Sequence, residues 1–311
     1  MRNNSSIVKA AGDTITTATV TSGLLNPEQS RRFLRQTFEA TPLQGLIRHE
    51  LRVAKNGEID KIGIASRIVR GKTENVDDGY RAKPQYGSVK YSCVAIRLPW
   101  EISEETLRQN IEGQNHEETI TNLMTTQLGV DVEDLSLNSD EDFSQTDDPD
   151  YDFLKLNDGW IKQIRNGGHV YDATTANEGK FNLDTFYGAL EAVPNKYNDG
   201  SLRWLMSPIR AQKWKQLLLN QVINNGGVVP EDVYNSPAGI PVVTVPKMPN
   251  DTVLLVNPQN LISVNTYNVI IRKTTEGEKA IMQDKRFYVV HLDFDPIIEE
   301  LDATGIITGL K

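Results

Sequence analysis

The sequence has few residues of the kinds that build covalent or metal-bound frameworks. Cys93 is the only cysteine among 311 residues, so the chain cannot form an internal disulfide or a cysteine-based zinc site. The four histidines, at positions 49, 116, 169 and 291, are far apart, and none belongs to a pair with metal-ligand spacing. We therefore expect a buried, unreactive thiol at Cys93 and a protein of the bacterial cytoplasm.

Long apolar segments are also missing. No run of apolar residues reaches the roughly twenty that a membrane-spanning helix needs. The first twenty residues are rich in Ser, Thr, Ala and Asn and lack the continuous apolar core of a secretory signal. Hydrophobic residues make up 38% of the chain and charged residues 24%, which is typical of a soluble folded protein that does not contact a membrane.

The motifs of the common enzyme classes are incomplete. Gly71-Lys72-Thr73 resembles the end of a phosphate-binding loop, but Ser66 stands where that motif needs its first glycine. His116-Glu117-Glu118 resembles the start of a zinc-protease helix, but Ile120 replaces the second histidine. There is no GxSxG nucleophile elbow, and Lys and Arg do not form a concentrated nucleic-acid patch. We predict a non-enzyme with no cofactor, no catalytic residue and no metal site.

Carboxylates are dense between Asp140 and Asp152, which suggests calcium. An EF-hand loop that began at Asp140 would need glycine at its sixth position and glutamate at its twelfth, but Gln145 and Tyr151 occupy them. A solvated acidic turn is the better interpretation. A metal-assisted hydrolase that uses this cluster stays as the hypothesis from a different functional class.

The charges are segregated along the chain. Residues 1–97 hold 16 Lys and Arg against 9 Asp and Glu, whereas residues 98–159 hold 2 against 17. The remaining residues are close to neutral. Such complementary blocks favour attraction between copies of the chain, although solvated faces would give the same pattern.

A long helix is the most prominent element predicted. Ser103 is a suitable N-cap, and Glu104 and Glu105 suit the positive end of the helix dipole. Apolar residues then recur mostly three or four positions apart through Leu135, with a polar gap around Gln114 and Asn115. An unbroken helix over 104–135 would be roughly 48 Å long, with an acidic face opposite its apolar stripe. We name this predicted element the spine.

The other predicted elements mix helices and strands without βαβ alternation, so the fold class expected is α+β. A short helix follows Pro27, and a polar two-stranded excursion too narrow to own a core covers 48–97. Helices are predicted over 182–193 and after Ser207-Pro208. Strands are predicted within 201–208, 238–246, 252–257, 263–273 and 287–294.

This order of elements resembles the major capsid protein of tailed phages, the Hong Kong 97-type fold. The best-matching segments are WEISEETL with DVEDLSLNSD, then NLDTFYGALEAVPNKYNDGSLRWLMSP, GIPVVTVPKMP and VLLVNPQNLI. The resemblance implies an N-terminal arm with a short helix, an extended loop, a peripheral domain that contains the spine, and an axial domain. These divisions correspond to residues 1–47, 48–97, 98–160 completed by 286–311, and 161–285.

The resemblance further implies a protein that self-assembles into hexamers and pentamers of an icosahedral shell around double-stranded DNA. The implied partners are copies of itself, a separate scaffolding protein, a portal, cement proteins and non-specifically contacted DNA. An encapsulin-like compartment with an enzyme cargo is the alternative. Together with the charge segregation, the resemblance predicts that the loop of one subunit contacts the spine of another. The residues expected in that contact are Lys61, Arg67, Arg70, Lys72, Arg81, Lys83, Glu104, Glu105, Glu112, Glu117 and Glu118.

Overall fold

The computed structural model describes residues 41–64, 67–71, 74, 77, 79–105, 116–225, 235–266 and 270–311. The predicted arm up to residue 40, with the helix after Pro27, lies outside the described residues. So does the segment 106–115 of the predicted spine. For His116, Glu118 and residues 221–225, 270 and 271, only the backbone is described.

The described residues form twelve strands and seven helices, besides short 3-10 turns. The strands are β1 Arg48–Arg52, β2 Asn56–Gly63, β3 Gln85–Ser92, β4 Val94–Ser103, β5 His169–Asp172, β6 Arg203–Met206, β7 Val242–Thr244, β8 Val253–Val256, β9 Leu261–Thr266, β10 Ile270–Thr274, β11 Lys285–Ile298 and β12 Gly305–Thr308. The helices are α1 His116–Asn138, α2 Tyr151–Leu154, α3 Trp160–Gly167, α4 Ala173–Asn177, α5 Leu183–Ala192, α6 Pro208–Asn225 and α7 Glu278–Gln283. The predicted α+β class is confirmed.

One sheet is organised around β11, its longest strand. The strand order is β1-β9-β11-β10, and β4 also pairs with β11, antiparallel, from Val94 opposite Phe294 to Ser103 opposite Lys285. β1 joins the sheet by parallel pairing with β9. Because side chains alternate along a strand, the two faces of β11 can pack against two different elements of the subunit.

Helix α1 covers one face of this sheet. Its 23 residues correspond to a length of about 35 Å, and it ends at Asn138, close to the predicted end of the spine. The apolar residues between the helix and the strand form one buried cluster of Leu128, Val132, Leu135, Val290, Leu292 and Phe294. Their spacings of three or four on the helix and of two on the strand are the periods of the two elements.

A second sheet has the order β5-β12-β8-β6-β7 and carries helices α5 and α6. Phe186 of α5 meets Trp204 of β6 and Trp214 of α6 edge-on, with ring centroids 4.9 and 5.3 Å apart. Both helices begin where the sequence predicts. Asn182 accepts a hydrogen bond from Thr185 N at the start of α5, and Ser207 Oγ accepts one from Arg210 N at the start of α6.

Strand pairing departs from the predicted division at three places. β9 and β10 fall in the range expected to be axial but pair within the sheet of β11. β12 falls in the range expected to complete the peripheral domain but pairs with β5 and β8. β1 lies in the range given to the loop but pairs with β9. The sheet that a strand joins is determined by its pairing partners, which lie far away in the sequence. The local sequence pattern does not identify those partners. The assignment of peripheral and axial roles stays a prediction.

Candidate assembly surface

Strands β2 and β3 form a two-stranded ribbon, from Asn56 opposite Ser92 to Gly63 opposite Gln85. One face of the ribbon lies on the body of the subunit. Ile59 and Tyr91 are buried there in a cluster with Ile262, Val264 and Ile297 of β9 and β11. This contact gives the ribbon the support that an isolated hairpin lacks in water.

The opposite face of the ribbon exposes apolar side chains near its far end. Ile62 and Tyr86 are directly opposed across the two strands, and their residues are 69% and 75% exposed. Ile64, which follows β2, is 62% exposed. An apolar cross-strand pair in water is a feature of surfaces that another molecule covers. We call this set, Ile62, Ile64 and Tyr86, the outer apolar face.

Lys61 forms its ion pair and hydrogen bond within its own subunit. Its Nζ atom lies 2.9 Å from Glu300 Oε2 and donates to the Glu299 carbonyl oxygen at 3.2 Å. Lys61 therefore ties the ribbon to the segment after β11. Its charge is already balanced before any second copy arrives.

Two more of the predicted cations have local partners. Arg81 Nη2 lies 2.6 Å from Asp77 Oδ2, and this bond lowers the pKa of the exposed Asp77 carboxyl below its ordinary value. The Arg70 guanidinium carbon lies 3.9 Å from the centre of the Tyr80 ring, a cation–π geometry.

The predicted set also contains the loop cations Arg67, Lys72 and Lys83 and the spine residues Glu105 and Glu112. Arg67 and Lys83 are exposed, as is Glu105 at the start of the spine. Lys72 and Glu112 lie outside the described residues.

Glu104 and Glu117 of the spine region meet cations of their own subunit. Arg286 contacts both, with Nη1 2.6 Å from Glu117 Oε2 and Nη2 3.1 Å from Glu104 Oε2. Lys273 Nζ contacts the second carboxylate oxygen of Glu117. Burial alone would raise the pKa of Glu117, but the bond from Lys273 and the nearby Arg286 hold it below its ordinary value. The cluster joins the spine to β10 and β11.

The expected acidic face of the spine is not what the described helix shows between 119 and 127. The exposed residues there are neutral, namely Thr119, Asn122, Leu123, Thr126 and Gln127. The carboxylates of this helix near its C-terminal end have partners or are buried. Asp134 pairs with Lys247 Nζ at 2.9 Å, and Glu133 is 1% exposed. Residues 119–127 contain no Asp or Glu, so the predicted acidic face does not extend over this part of the helix.

The acidic segment after the spine surrounds a lysine. Lys162 Nζ of α3 lies 2.7 Å from Asp140, 2.6 Å from Asp142 and 2.7 Å from Asp158. Burial opposes the charge on Lys162, but the three hydrogen bonds outweigh it and raise the pKa of this ammonium group. The ammonium group thus occupies the position that a cation shared by these three carboxylates would take. Among the residues that the structure describes, no group of three His, Cys, Asp or Glu side chains is placed to hold a metal ion.

Sequence reasoning missed Lys162 and Arg286, the two cations that organise the carboxylates. A lone cation within a short helix or at the start of a strand gives no periodic signal, so only the three-dimensional neighbours identify its role.

In the described part of the chain, no helix combines the length and apolar character needed to cross a membrane.

Comparison with known proteins gives one consistent class. No protein-family model matches the chain. YqbE, a Bacillus subtilis protein that carries the name of a prophage capsid protein, is 28% identical over 332 aligned positions that cover all of both chains. The chain in the procapsid of satellite phage P4 superimposes with a TM-score of 0.65 at 19% identity, over 100% of this chain and 98% of that one. The SrpI encapsulin of Synechococcus elongatus gives 0.52 at 11% identity, over 100% and 96%.

The fold is the Hong Kong 97-type fold of shell-forming proteins. The chain resembles the tailed-phage major capsid protein family, since its curated relative carries the name of a prophage capsid protein and its fold matches that of a chain in a phage procapsid. The resemblance stated from the sequence is confirmed.

Proposed function

We propose that this major capsid protein assembles into the hexamers and pentamers of an icosahedral shell that encloses double-stranded DNA, in the cytoplasm of a bacterial host. The observation that supports this most is the superposition of the whole chain on a procapsid subunit. We propose a separate scaffolding protein, a portal and cement proteins as its further partners.

Electron microscopy of the purified chain, with light scattering for mass, tests the assembly. Closed particles hundreds of ångströms across, or rings of five and six subunits, are expected. A chain that stays monomeric at high concentration, with crowding agents and with a candidate scaffold, would contradict the proposal.

The ribbon is proposed to lie on a neighbouring subunit. Its outer apolar face is available, since the other face already packs on its own body. Arg67 and Lys83 are the exposed predicted cations of the loop, so they can add charge to this contact. Lys61, Arg70 and Arg81 have partners of their own and contribute less than the sequence alone suggests.

Charge reversal separates these contributions. Changing Lys61, Arg67, Arg70 and Lys72 to Glu is expected to leave the subunit folded and to impair assembly. Because Lys61 also has an intramolecular partner, the pair Arg67→Glu and Lys83→Glu is the sharper variant, with Arg67→Lys and Lys83→Arg as the charge-conserving control. Normal particles from both reversed variants would remove electrostatics from the proposed contact.

An encapsulin-like compartment is the second candidate, because the chain also superimposes on an encapsulin over its whole length. The contents of purified particles discriminate between the two. Nuclease-protected DNA supports the phage capsid, and a stoichiometric enzyme without nucleic acid supports the compartment.

The metal-assisted hydrolase hypothesis has weaker support, because Lys162 already balances Asp140, Asp142 and Asp158. It predicts a divalent-ion shift in the melting temperature that disappears in Asp142→Asn and Asp148→Asn. A melting temperature independent of calcium and magnesium contradicts it.

A further inference from the structure

Two carboxylates of β11 lie beneath the point where the ribbon joins the body. Asp293 and Asp295 are two residues apart and so point to the same side of the strand. Asp293 Oδ1 lies 2.8 Å from Lys55 Nζ, just before β2, and its Oδ2 accepts from Thr266 Oγ1 at 3.0 Å. Asp295 Oδ2 accepts from the backbone N–H of Ser92, the last residue of β3, at 2.7 Å. Each strand of the ribbon is therefore held at its base by one carboxylate.

At this base, the two strands are also hydrogen-bonded to each other. Cys93 N donates to the Lys55 carbonyl oxygen at 2.8 Å, and Ser92 Oγ donates to Asn56 Oδ1 at 3.0 Å. A displacement of the ribbon relative to the body consequently acts on the Ser92–Asp295 bond. We call this group, Lys55, Ser92, Asp293 and Asp295, the ribbon clamp.

Asp295 lies beside a cleft of about 680 Å³ whose other charged groups are mostly acidic. Glu141 faces it from the segment after α1 and Asp158 from the segment before α3. Asp158 also contacts Lys162. From the ribbon itself, Glu58 and Lys90 line the same cleft and lie 4.0 Å from each other.

This environment disfavours the charged form of Asp295. Burial is the largest cause, and the negative charges of Glu141 and Asp158 add to it, so that the pKa of Asp295 rises from 3.8 to about 6 even though the Ser92 N–H opposes the shift. When the ribbon lifts from the body, water reaches the carboxyl and its pKa returns toward the ordinary value.

We propose that the ribbon clamp is proton-linked, so that proton uptake by Asp295 tightens the attachment of the ribbon to the body of its subunit. The sign follows from linkage. The attached state binds the proton more tightly than the lifted state, so acid favours attachment and rising pH through the attached-state pKa weakens it. For pKa values of about 6 attached and 3.8 lifted, the attachment equilibrium changes about tenfold between pH 7 and pH 5.

The clamp operates within one subunit, and only its consequence for assembly rests on the proposed function. A ribbon held more firmly at low pH presents its outer apolar face in one fixed orientation. The proportions of the different contacts between subunits should therefore differ between pH 5 and pH 7.

Amide hydrogen exchange on the full-length chain tests the clamp, because the Ser92 N–H is itself the donor to Asp295. After correction for the intrinsic pH dependence of exchange, the protection of this amide is expected to rise about tenfold from pH 7 to pH 5, with the rise starting near pH 6. In Asp295→Asn the amide oxygen still accepts the bond but nothing titrates, so protection should be constant. Asp60→Asn, an exposed carboxyl of the same ribbon, should behave like the wild type.

Glu141→Gln keeps the test valid if Asp295→Asn does not fold. It removes one of the charges that raise the pKa of Asp295, so the rise in protection should start at a lower pH. Constant protection in the wild type, loss of protection at low pH, or a pH dependence that persists in Asp295→Asn would overturn the proposal. Because the reading comes from single subunits or capsomers, a failed clamp leaves the proposed shell function untouched.

Discussion

The outer apolar face provides the most direct test of how the subunits associate. Ile62→Ser and Tyr86→Ser each remove an apolar side chain that is mostly in water, so the isolated subunit should hardly be affected. Surface changes of this kind shift the free energy of unfolding by about 0.5 kcal/mol or less. The melting temperature of the unassembled subunit is thus expected to stay within a few degrees of the wild type.

The effect on assembly should be larger. Complete burial of an isoleucine side chain contributes about 1.5–3 kcal/mol. Ile62 is 69% exposed, so a neighbour that covers it would gain about 1–2 kcal/mol, equivalent to roughly a five- to thirty-fold change in the contact equilibrium. Because every subunit contributes one ribbon, the subunit concentration at which particles form should rise by roughly the same factor.

Light scattering against subunit concentration measures that threshold, and Ser88→Ala is the matched control. Ser88 lies on the same strand and face as Tyr86 and is exposed, but it offers no apolar side chain of comparable size. An unchanged threshold in both Ile62→Ser and Tyr86→Ser would refute the assignment of this face to a subunit contact. A threshold that rises equally in Ser88→Ala would show that the change is not specific to apolar area.

Three further outcomes follow from the packing of the subunit. Phe294→Ala removes a ring that is 1% exposed between α1 and β11, and should lower the free energy of unfolding by about 3–5 kcal/mol in chemical denaturation, whereas a loss below 1 kcal/mol would contradict the packing described. Gly159→Ala would bring a Cβ atom to 2.6 Å from the Leu137 carbonyl oxygen, so its free energy of unfolding should fall by roughly 1–3 kcal/mol in the same assay. An unchanged free energy of unfolding would contradict this close approach. Burial, with the charges of Asp295 and Asp293, raises the pKa of Cys93 to about 12, so a thiol reagent at pH 8 should label Cys93 only after unfolding, and rapid labelling of the native chain would show that the thiol is accessible.

Local signals in the sequence account for most of the helices and strands. Asn182 and Ser207 mark the starts of α5 and α6 because their side chains can accept bonds from free backbone N–H groups. The apolar stripe through Leu128, Val132 and Leu135 predicts the buried face of α1 because its spacing matches the helical period. These features depend on residues a few positions apart, which is the range over which a sequence pattern has meaning.

The candidate site was less predictable because its contacts join distant residues. Lys61 and Glu300 are 239 positions apart, and Arg286 and Glu104 are 182 apart. A count of charge along the chain assigned the loop cations and the spine carboxylates to each other across subunits. In the described residues, several of both sets instead find partners within the subunit. The three residues of the outer apolar face come from separate parts of the ribbon and gave no periodic signal in the sequence.

The two faces of the ribbon have different physical roles. On the inner face, Lys61, the ribbon clamp and the buried Ile59 and Tyr91 fix how the ribbon leaves the body. Exposed ion pairs contribute little to association, with a typical value of 0–1 kcal/mol, and salt screens them further. Apolar area therefore has to supply much of the affinity of a ribbon contact, while charge affects its rate and register. A shell held this way should tolerate single charge changes in the loop better than single polar substitutions on the outer apolar face.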